Sequence, residues 1–335
     1  MRRLPVILCV LGAAAVADAR VRWQTPGGYR LRATGLTATS LDETGAESGQ
    51  RWQAAHRLRI RPSIEIDDVD IGLEVDVLTG QIAGDPNPVG ADFAERRQGD
   101  PEDPERGWTT VEPRQAWVRW TGERGAVAFG QMGADWGIGL LDADGQDRDP
   151  GPWVERFGDR WYGDLVDRLL LQGRPFWPLT TGPLATLTFT LGGDHVWQDE
   201  RASFLEGDTA WRAFGAVEWF GEGVRLGLMG MHRWQTDVDL AEASLTYLDG
   251  YGEWTVPLYM FGADLKLSGE AVLTFGESAR RATVSSPGGV ERLALGWLGR
   301  VDLAWRCPRV ALAIETGYAS GDADPADEAD RDFSF

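Results

Sequence analysis

The feature that most constrains this chain is a strict alternation of apolar and charged residues in long segments. In residues 57–66 the even positions are mostly apolar and the odd positions mostly charged, and in residues 69–77 the parity is reversed. Because successive side chains of a β-strand point to opposite faces, each segment has one apolar and one charged face. The alternation therefore predicts amphipathic β-strands whose two faces meet different environments.

These two segments predict a hairpin about a two-residue turn at Asp67-Asp68. In this register the directly paired residues are Arg61 with Glu74, Arg59 with Asp76, Ile60 with Val75, Leu58 with Val77, and Glu65 with Asp70. Apart from the last pair, which is like-charged, opposite charges meet on one face and apolar side chains on the other, as cross-strand pairs favour. A shift by one residue would destroy both sets, so the register is well specified.

The same alternation recurs along the chain and predicts about thirteen strands. They lie near residues 28–37, 52–66, 69–79, 112–120, 124–132, 164–173, 184–193, 210–220, 224–234, 245–255, 262–275, 291–306 and 310–318. Short or middling connections alternate with long polar ones, which run near 80–111, 133–163, 194–209, 234–244 and 276–290. Short turns on one side and long loops on the other are typical of outer-membrane barrels.

Aromatic residues lie on the apolar parity near the predicted strand ends. Trp211 and Trp219 are eight residues apart on one strand, which at about 3.3 Å per residue and a tilt of about 40° spans roughly 20 Å of height. That height is close to the apolar band of a membrane barrel. The side chains predicted to form an aromatic girdle are Trp52, Trp120, Trp211, Trp219, Trp234, Phe261, Phe275 and Trp305.

The sequence thus predicts an all-β fold, a transmembrane antiparallel up-and-down β-barrel. A soluble secreted sandwich or propeller also alternates, but its strands usually have about five or six residues. If the turn at 67–68 is periplasmic, the last strand at 310–318 runs outward, whereas complete barrels have an even strand count with both termini in the periplasm. We therefore expect this sequence to lack at least one strand, with about 14–18 in the complete protein.

The N-terminus predicts export. Arg2 and Arg3 precede an apolar run from Leu4 to Val16, and small residues ending at Ala19 follow, which is the pattern of a signal peptide at 1–19. Residues 20–335 would form the barrel in the bacterial outer membrane, in contact with its lipid. The net charge of −19 argues against nucleic acid as a partner, because a phosphate-binding face needs clustered Lys and Arg.

Three short motifs resemble a known group of proteins. They are FGQMGADWGIGLLDADG (129–145), DRLLL (167–171) and GYASGDADP (317–325). Together they resemble porin-like outer-membrane proteins of the alginate-export type and related uncharacterised barrels. The first motif matches the group's Trp-Gly-x-Gly loop at Trp136, Gly137 and Gly139, while Gln131 occupies the position of an expected arginine. The resemblance implies a barrel channel.

Catalytic and metal-binding patterns are sparse. The three histidines, His56, His195 and His232, lack the spacing of zinc ligands. His195 beside Asp194 is the local candidate for a catalytic pair, and a surface histidine is the competing interpretation. The acidic run 142–147 has Asp at alternate positions but no glutamate at the twelfth position of a calcium loop. We therefore expect no enzyme, no cofactor and no metal.

The charged parity of the strands predicts a polar lumen. Its predicted pore-lining residues are Arg57, Arg59, Arg61, Glu65, Asp70, Glu74, Asp76, Arg119, Arg225, Asp264, Lys266, Glu270, Arg292, Arg300, Asp302 and Glu315. Facing charges of opposite sign hold water and suit the passage of small polar or charged solutes, although the same pairs could serve only to stiffen the wall. We expect a porin-like diffusion channel. The alternatives are a plugged barrel acting as a surface anchor or adhesin, and an outer-membrane enzyme. Oligomeric state and solute are left open.

Overall fold

The computed structural model describes residues 20–36, 51–84, 111–145, 163–199, 201–279, 289–305, 310–321, 329–331 and 333. The predicted signal peptide lies outside these residues, as do parts of several long loops. In this described part of the chain no helix has the length and apolar character needed to cross a bilayer.

The described chain is built of β-strands joined by turns and short 3-10 segments. The strands are β1 (Val21–Gln24), β2 (Gly27–Leu36), β3 (Arg51–Ile60), β4 (Ser63–Ile66), β5 (Val69–Gly84), β6 (Glu112–Gly122), β7 (Gly125–Gly133), β8 (Leu165–Gly173), β9 (Thr188–Gln198), β10 (Thr209–Gly221), β11 (Val224–Thr236), β12 (Glu242–Leu258), β13 (Ala263–Ser278), β14 (Val290–Trp305), β15 (Val310–Ala319) and β16 (Ala329–Asp330).

One sheet contains all of these strands, and sequential neighbours pair antiparallel from β4 to β15. Strands β1 and β2 form one long strand with an interruption, and β3 and β4 form a second one. The two lie side by side, β1 paired with β4 and β2 paired with β3. With β5 to β15 these make the thirteen long strands that the alternation predicts, so the up-and-down fold is confirmed. The two-residue β16 is an addition and pairs parallel with β14. Among the described strands no ladder joins β15 to β1 or β2.

The predicted first hairpin has the expected register over most of its length. Ile64 pairs with Ile71 and Arg59 with Asp76, about a turn in which Asp67 adopts φ 51°. Aspartate tolerates this left-handed conformation better than most residues. One predicted pair is wrong. A bulge between Leu58 and Arg59 places Leu58 opposite Leu78 instead of Val77, because a bulge sets one extra residue against its partner strand.

One predicted strand is displaced along the chain. The segment Pro183–Thr186 forms a 3-10 turn, and β9 begins at Thr188 and continues to Gln198, well into the predicted loop. Proline fits the first turn of a helical segment because its missing N–H is not needed there. The polar end of β9 resembled a loop in sequence, but its residues pair with β10 across the sheet, His195 with Trp211 and Asp194 with Arg212.

The two faces of the sheet differ as the alternation predicts. Outward side chains are apolar and exposed, for example Leu191 at 63%, Leu228 at 64% and Ile314 at 71%. Inward side chains are charged and buried, for example Asp76 at 0% and Asp194 at 1%. Charged groups are almost never this buried unless they are paired. The sheet therefore curls around an interior of paired charges.

Candidate functional site

The predicted pore-lining residues lie on the inward parity of their strands. Their deepest members are Arg57, Arg59, Glu74, Asp76, Glu270, Arg300 and Asp302, all buried. Arg119 is exposed, and Glu65 and Asp70 are half-buried beside the short turns. The inward position of Arg61 is secured by an ion pair of 2.8 Å between its Nε and Glu74 Oε2. The buried members of this set share the inner face of the sheet.

The predicted girdle residues lie on the outward parity. Trp211, Trp234 and Trp52 are about half exposed, and Trp120 and Phe275 are also exposed. Trp219 and Trp305 are half-buried, and the Trp219 indole N–H donates to the Pro183 carbonyl at 3.0 Å. Phe261 lies in the 3-10 turn Tyr259–Phe261 at the short-connection end.

The segment after β7 folds into the lumen. Ala134, Trp136 and Ile138 are buried, and the Trp136 ring meets the inward-facing Tyr251 of β12 edge-on at 5.1 Å between centroids. We define residues 134–145 as the inward loop. It crosses from β7 to the opposite wall of the barrel, so it narrows the interior.

Glu270 of β13 holds the tip of the inward loop. Its carboxylate accepts backbone hydrogen bonds from Ile138 at 2.5 Å, Leu140 at 3.1 Å and Leu141 at 3.3 Å. Successive N–H groups aimed at one point form a concave anion site. Gly137 makes the turn possible with φ 54°, and a Cβ at that position would collide with the Glu270 carboxylate.

A chain of ion pairs fixes the base of the inward loop. Asp194 accepts two hydrogen bonds from Arg168, at 2.7 and 2.8 Å, and others from Arg212, at 2.9 and 3.1 Å. Arg212 also donates at 2.6 Å to Asp142 of the loop. The Asp194 side chain is fully buried, so its charge depends on these two guanidinium groups.

Apolar residues fill the lumen on the side of β11 to β14. A buried cluster joins inward side chains of these strands with Phe333, and Leu140 and Leu141 of the inward loop pack against it. Phe333 covers Gly296, where a Cβ would collide with its ring. The apolar cluster comprises Met231, Ala243, Leu245, Tyr247, Val272, Ala294 and Phe333.

The wall formed by β3 to β6, on the other side of the lumen from the apolar cluster, is ionic. Arg59 and Asp76 form a two-pronged pair with distances of 2.7 and 2.9 Å. Arg59 also lies 3.1 Å from Glu74, and Arg114 lies 3.8 Å from the same carboxylate. We call these residues, with Arg57 and Arg61, the arginine wall.

Asp199, just beyond the end of β9, anchors the chain at the end of the barrel that carries the long connections. Its carboxylate accepts from the backbone N–H groups of Arg201 and Ala202, each at 2.8 Å, and from the Arg233 guanidinium. Burial alone would raise the pKa of Asp199, but the charge and hydrogen bonds of Arg233 hold it below its ordinary value. The stabilisation by Asp199 is thus present at neutral pH and disappears only as the pH falls through the lowered pKa.

Several residues of this site were not among the predicted pore-lining residues. Arg168 and Arg212 lie on the inward parity of predicted strands, so the parity rule could have selected them. Asp194 was placed in a loop, and its burial between two arginines had no local signal. The approach of Ile138 to Glu270 spans 132 residues of sequence, and no local pattern encodes it.

The candidate catalytic pair is separated by the sheet. Asp194 faces inward, whereas His195 stacks on the outward Trp211 at 4.7 Å and lies 3.7 Å from Asp167. His232 also lies on the outward parity, beside Trp234 at 4.3 Å. Within the described residues no group of three or more His, Cys, Asp or Glu is arranged to hold a metal ion.

Comparisons with known proteins give a distant likeness. No protein-family model matches the sequence, and no curated protein matches it. Among solved structures the chain is similar to OmpT of Vibrio cholerae in its trimer form, an outer membrane protein, with 10% identity, a TM-score of 0.40 and 95% of each chain covered. It is also similar to an anion-selective porin from Comamonas acidovorans, with 11% identity, a TM-score of 0.34, and 90% and 89% of the two chains covered. Similarity at these scores supports no inference about substrate or assembly.

Proposed function

We propose that this protein is a bacterial outer-membrane channel through which small polar or charged solutes diffuse. In this proposal the exposed apolar face lies in lipid and the ionic face surrounds water. A signal peptide at 1–19 directs export, and the protein has no enzymatic activity. The oligomeric state is left open.

Membrane insertion is supported by the outward surface. Apolar side chains that would be buried in a soluble protein are exposed on strand after strand, including Leu169, Leu191, Leu228, Leu293 and Ile314. Continuous exposed apolar surface of this kind marks contact with lipid or a partner protein. Strands that pair on both sides, as β3 to β14 do, can cross a bilayer because their backbone polar groups are satisfied within the sheet.

The observation that carries the channel proposal is the asymmetric filling of the lumen. The inward loop packs against the apolar cluster on one side, while a cavity of about 280 Å³ lies beside the arginine wall on the other. On that side Arg57, Arg59, Arg61 and Arg114 lie beside Glu74 and Asp76. A wall of charged groups of this kind holds water and attracts charged solutes.

Planar-bilayer recordings of the purified protein test this proposal. Stable ohmic current steps are the expected result. Persistent silence with correctly inserted protein would contradict it and would favour the alternative of a plugged surface anchor, for which the apolar cluster around Phe333 is the supporting observation. Hydrolytic activity that is lost in His195→Ala would overturn the non-enzymatic assignment.

Neutralising one member of the arginine wall is expected to change ion preference. In Arg57→Gln the reversal potential in a salt gradient should move toward that of a cation-preferring pore, because one fixed positive charge leaves the wall. Arg57 is 7% exposed and faces the lumen. Arg124→Gln, in the exposed turn between β6 and β7, is the matched control and should leave the reversal potential unchanged. Equal shifts in both variants would show that selectivity is set by overall charge instead of by the wall.

A further inference from the structure

A cavity beside the arginine wall has a distinct construction. It has a volume of about 280 Å³ and lies against β1, β4, β5 and β6. Pro26 and Pro62 line it, at the points where the two interrupted strands break. Arg61 N–H donates to the Pro26 carbonyl at 2.8 Å, and Leu73 N–H donates to the Pro62 carbonyl at 2.9 Å. Because proline cannot donate to a ladder, these interruptions open a recess in the wall.

An aromatic ring forms one wall of this recess. Trp117 of β6 lies opposite Gly72 of β5 in the register, and its indole covers Gly72 so closely that a Cβ there would collide with the ring. The ring therefore lies against β5, and it also lines the cavity. An indole held in this way is a rigid platform for an apolar or C–H-bearing ligand face.

The charged groups around the platform nearly balance, with Arg22 and Arg61 beside Glu65, Asp70 and Glu74. Arg61 Nε lies 2.8 Å from Glu74 Oε2, and Arg22 Nη1 lies 3.1 Å from Glu65 Oε2. The amide of Gln115 also lines the cavity. A guanidinium carries five N–H donors, and an ionised carboxylate carries about four acceptor positions. The recess thus offers alternating donors and acceptors without a large net charge.

We propose that this recess is a binding site for one ring of a neutral saccharide, with its C–H face on Trp117 and its hydroxyls on the paired arginines and carboxylates. The inference rests on the proposed channel, whose solute class it specifies. Hydroxyl groups both donate and accept, so they suit a surface of fixed ion pairs that an ionic ligand would have to break. The volume lies just below the roughly 300–1,000 Å³ of sites for drug-sized ligands, as a one-ring ligand requires.

The test is a titration of glucose against the ion current of the full chain in planar bilayers. Glucose is expected to block the current reversibly. Trp117→Ala should weaken the block by about tenfold, from the loss of one aromatic contact. Trp120→Ala is the matched control, since Trp120 lies on the same strand with its side chain outward and exposed. Gly72→Ala retains the tryptophan but displaces its ring, so it should also weaken the block.

The outcomes separate the recess from the channel. A current unaffected by glucose would contradict the saccharide site in the recess and would leave the channel proposal standing. Glucose binding by calorimetry in a protein that carries no current would support the recess and reject the channel. Glucuronate or glycine blocking as strongly as glucose would overturn the assignment to a neutral ligand. Equal block in the Trp117→Ala and unaltered proteins would also overturn it.

Discussion

Glu270→Ala is expected to give a larger and noisier single-channel current than the unaltered protein. The substitution removes the acceptor of three backbone hydrogen bonds from the inward loop. Hydrogen bonds to a charged partner contribute about 1.5–3 kcal/mol each. A net loss of about 3 kcal/mol would change the equilibrium constant between the bound and the released loop by roughly 10². The measurement is conductance and current noise in planar bilayers.

The control for this experiment lies on the same strand. Glu277 of β13 is exposed, and Glu277→Ala should leave conductance unchanged. Gly137→Ala should reproduce the effect of Glu270→Ala from the side of the loop, because the added Cβ collides with the carboxylate and the residue must keep φ 54°. Unchanged currents in both Glu270→Ala and Gly137→Ala would show that the inward loop is not the constriction.

Asp194→Ala is expected to lower the free energy of unfolding by about 3–5 kcal/mol, the cost of leaving buried charge without its partner. Arg168 and Arg212 would then share only Asp142, to which their distances are 4.0 and 2.6 Å. Urea unfolding of the protein in lipid vesicles measures the effect. The inward loop should loosen as well, because Arg212 joins its base to the wall.

Asp167→Ala is the matched control for Asp194→Ala. Asp167 lies on neighbouring β8 with its side chain outward and 48% exposed, 3.7 Å from His195. Exposed pairs contribute about 0–1 kcal/mol, so this variant should unfold almost as the unaltered protein does. If the two variants lose equal stability, the buried chain of ion pairs does not hold the wall together.

The strand pattern was predictable because it is local. A period of two over ten residues assigns every side chain in 57–66 to a face, and the opposite charges of Arg59 and Asp76 specify the register of their hairpin. The bulge beside Leu58 was not predictable, since it depends on the fit of β3 to the longer β5. The predicted boundaries of β9 were wrong for a related reason. Polar residues that face an interior resemble loop residues in sequence.

The inward loop was beyond sequence reasoning for a different reason. Gly137 and Gly139 belong to the Trp-Gly-x-Gly motif, and both adopt positive φ. The direction of the loop depends on Glu270, Tyr251 and Arg212, which lie far away in the sequence on β13, β12 and β10. Glu270 was selected as an inward carboxylate, but its role as the acceptor of the loop's backbone required the folded chain.

The two sides of the lumen are stabilised by different forces, and the barrel should respond unequally to its surroundings. Apolar packing around Phe333 is stabilised by the hydrophobic effect, whereas the ion pairs of β3 to β6 are stabilising only while each buried charge keeps its partner. Removing one charge should therefore loosen the ionic side and leave the apolar side packed. A pore built in this way would change shape on the side of β3 to β6, while β11 to β14 keep their positions.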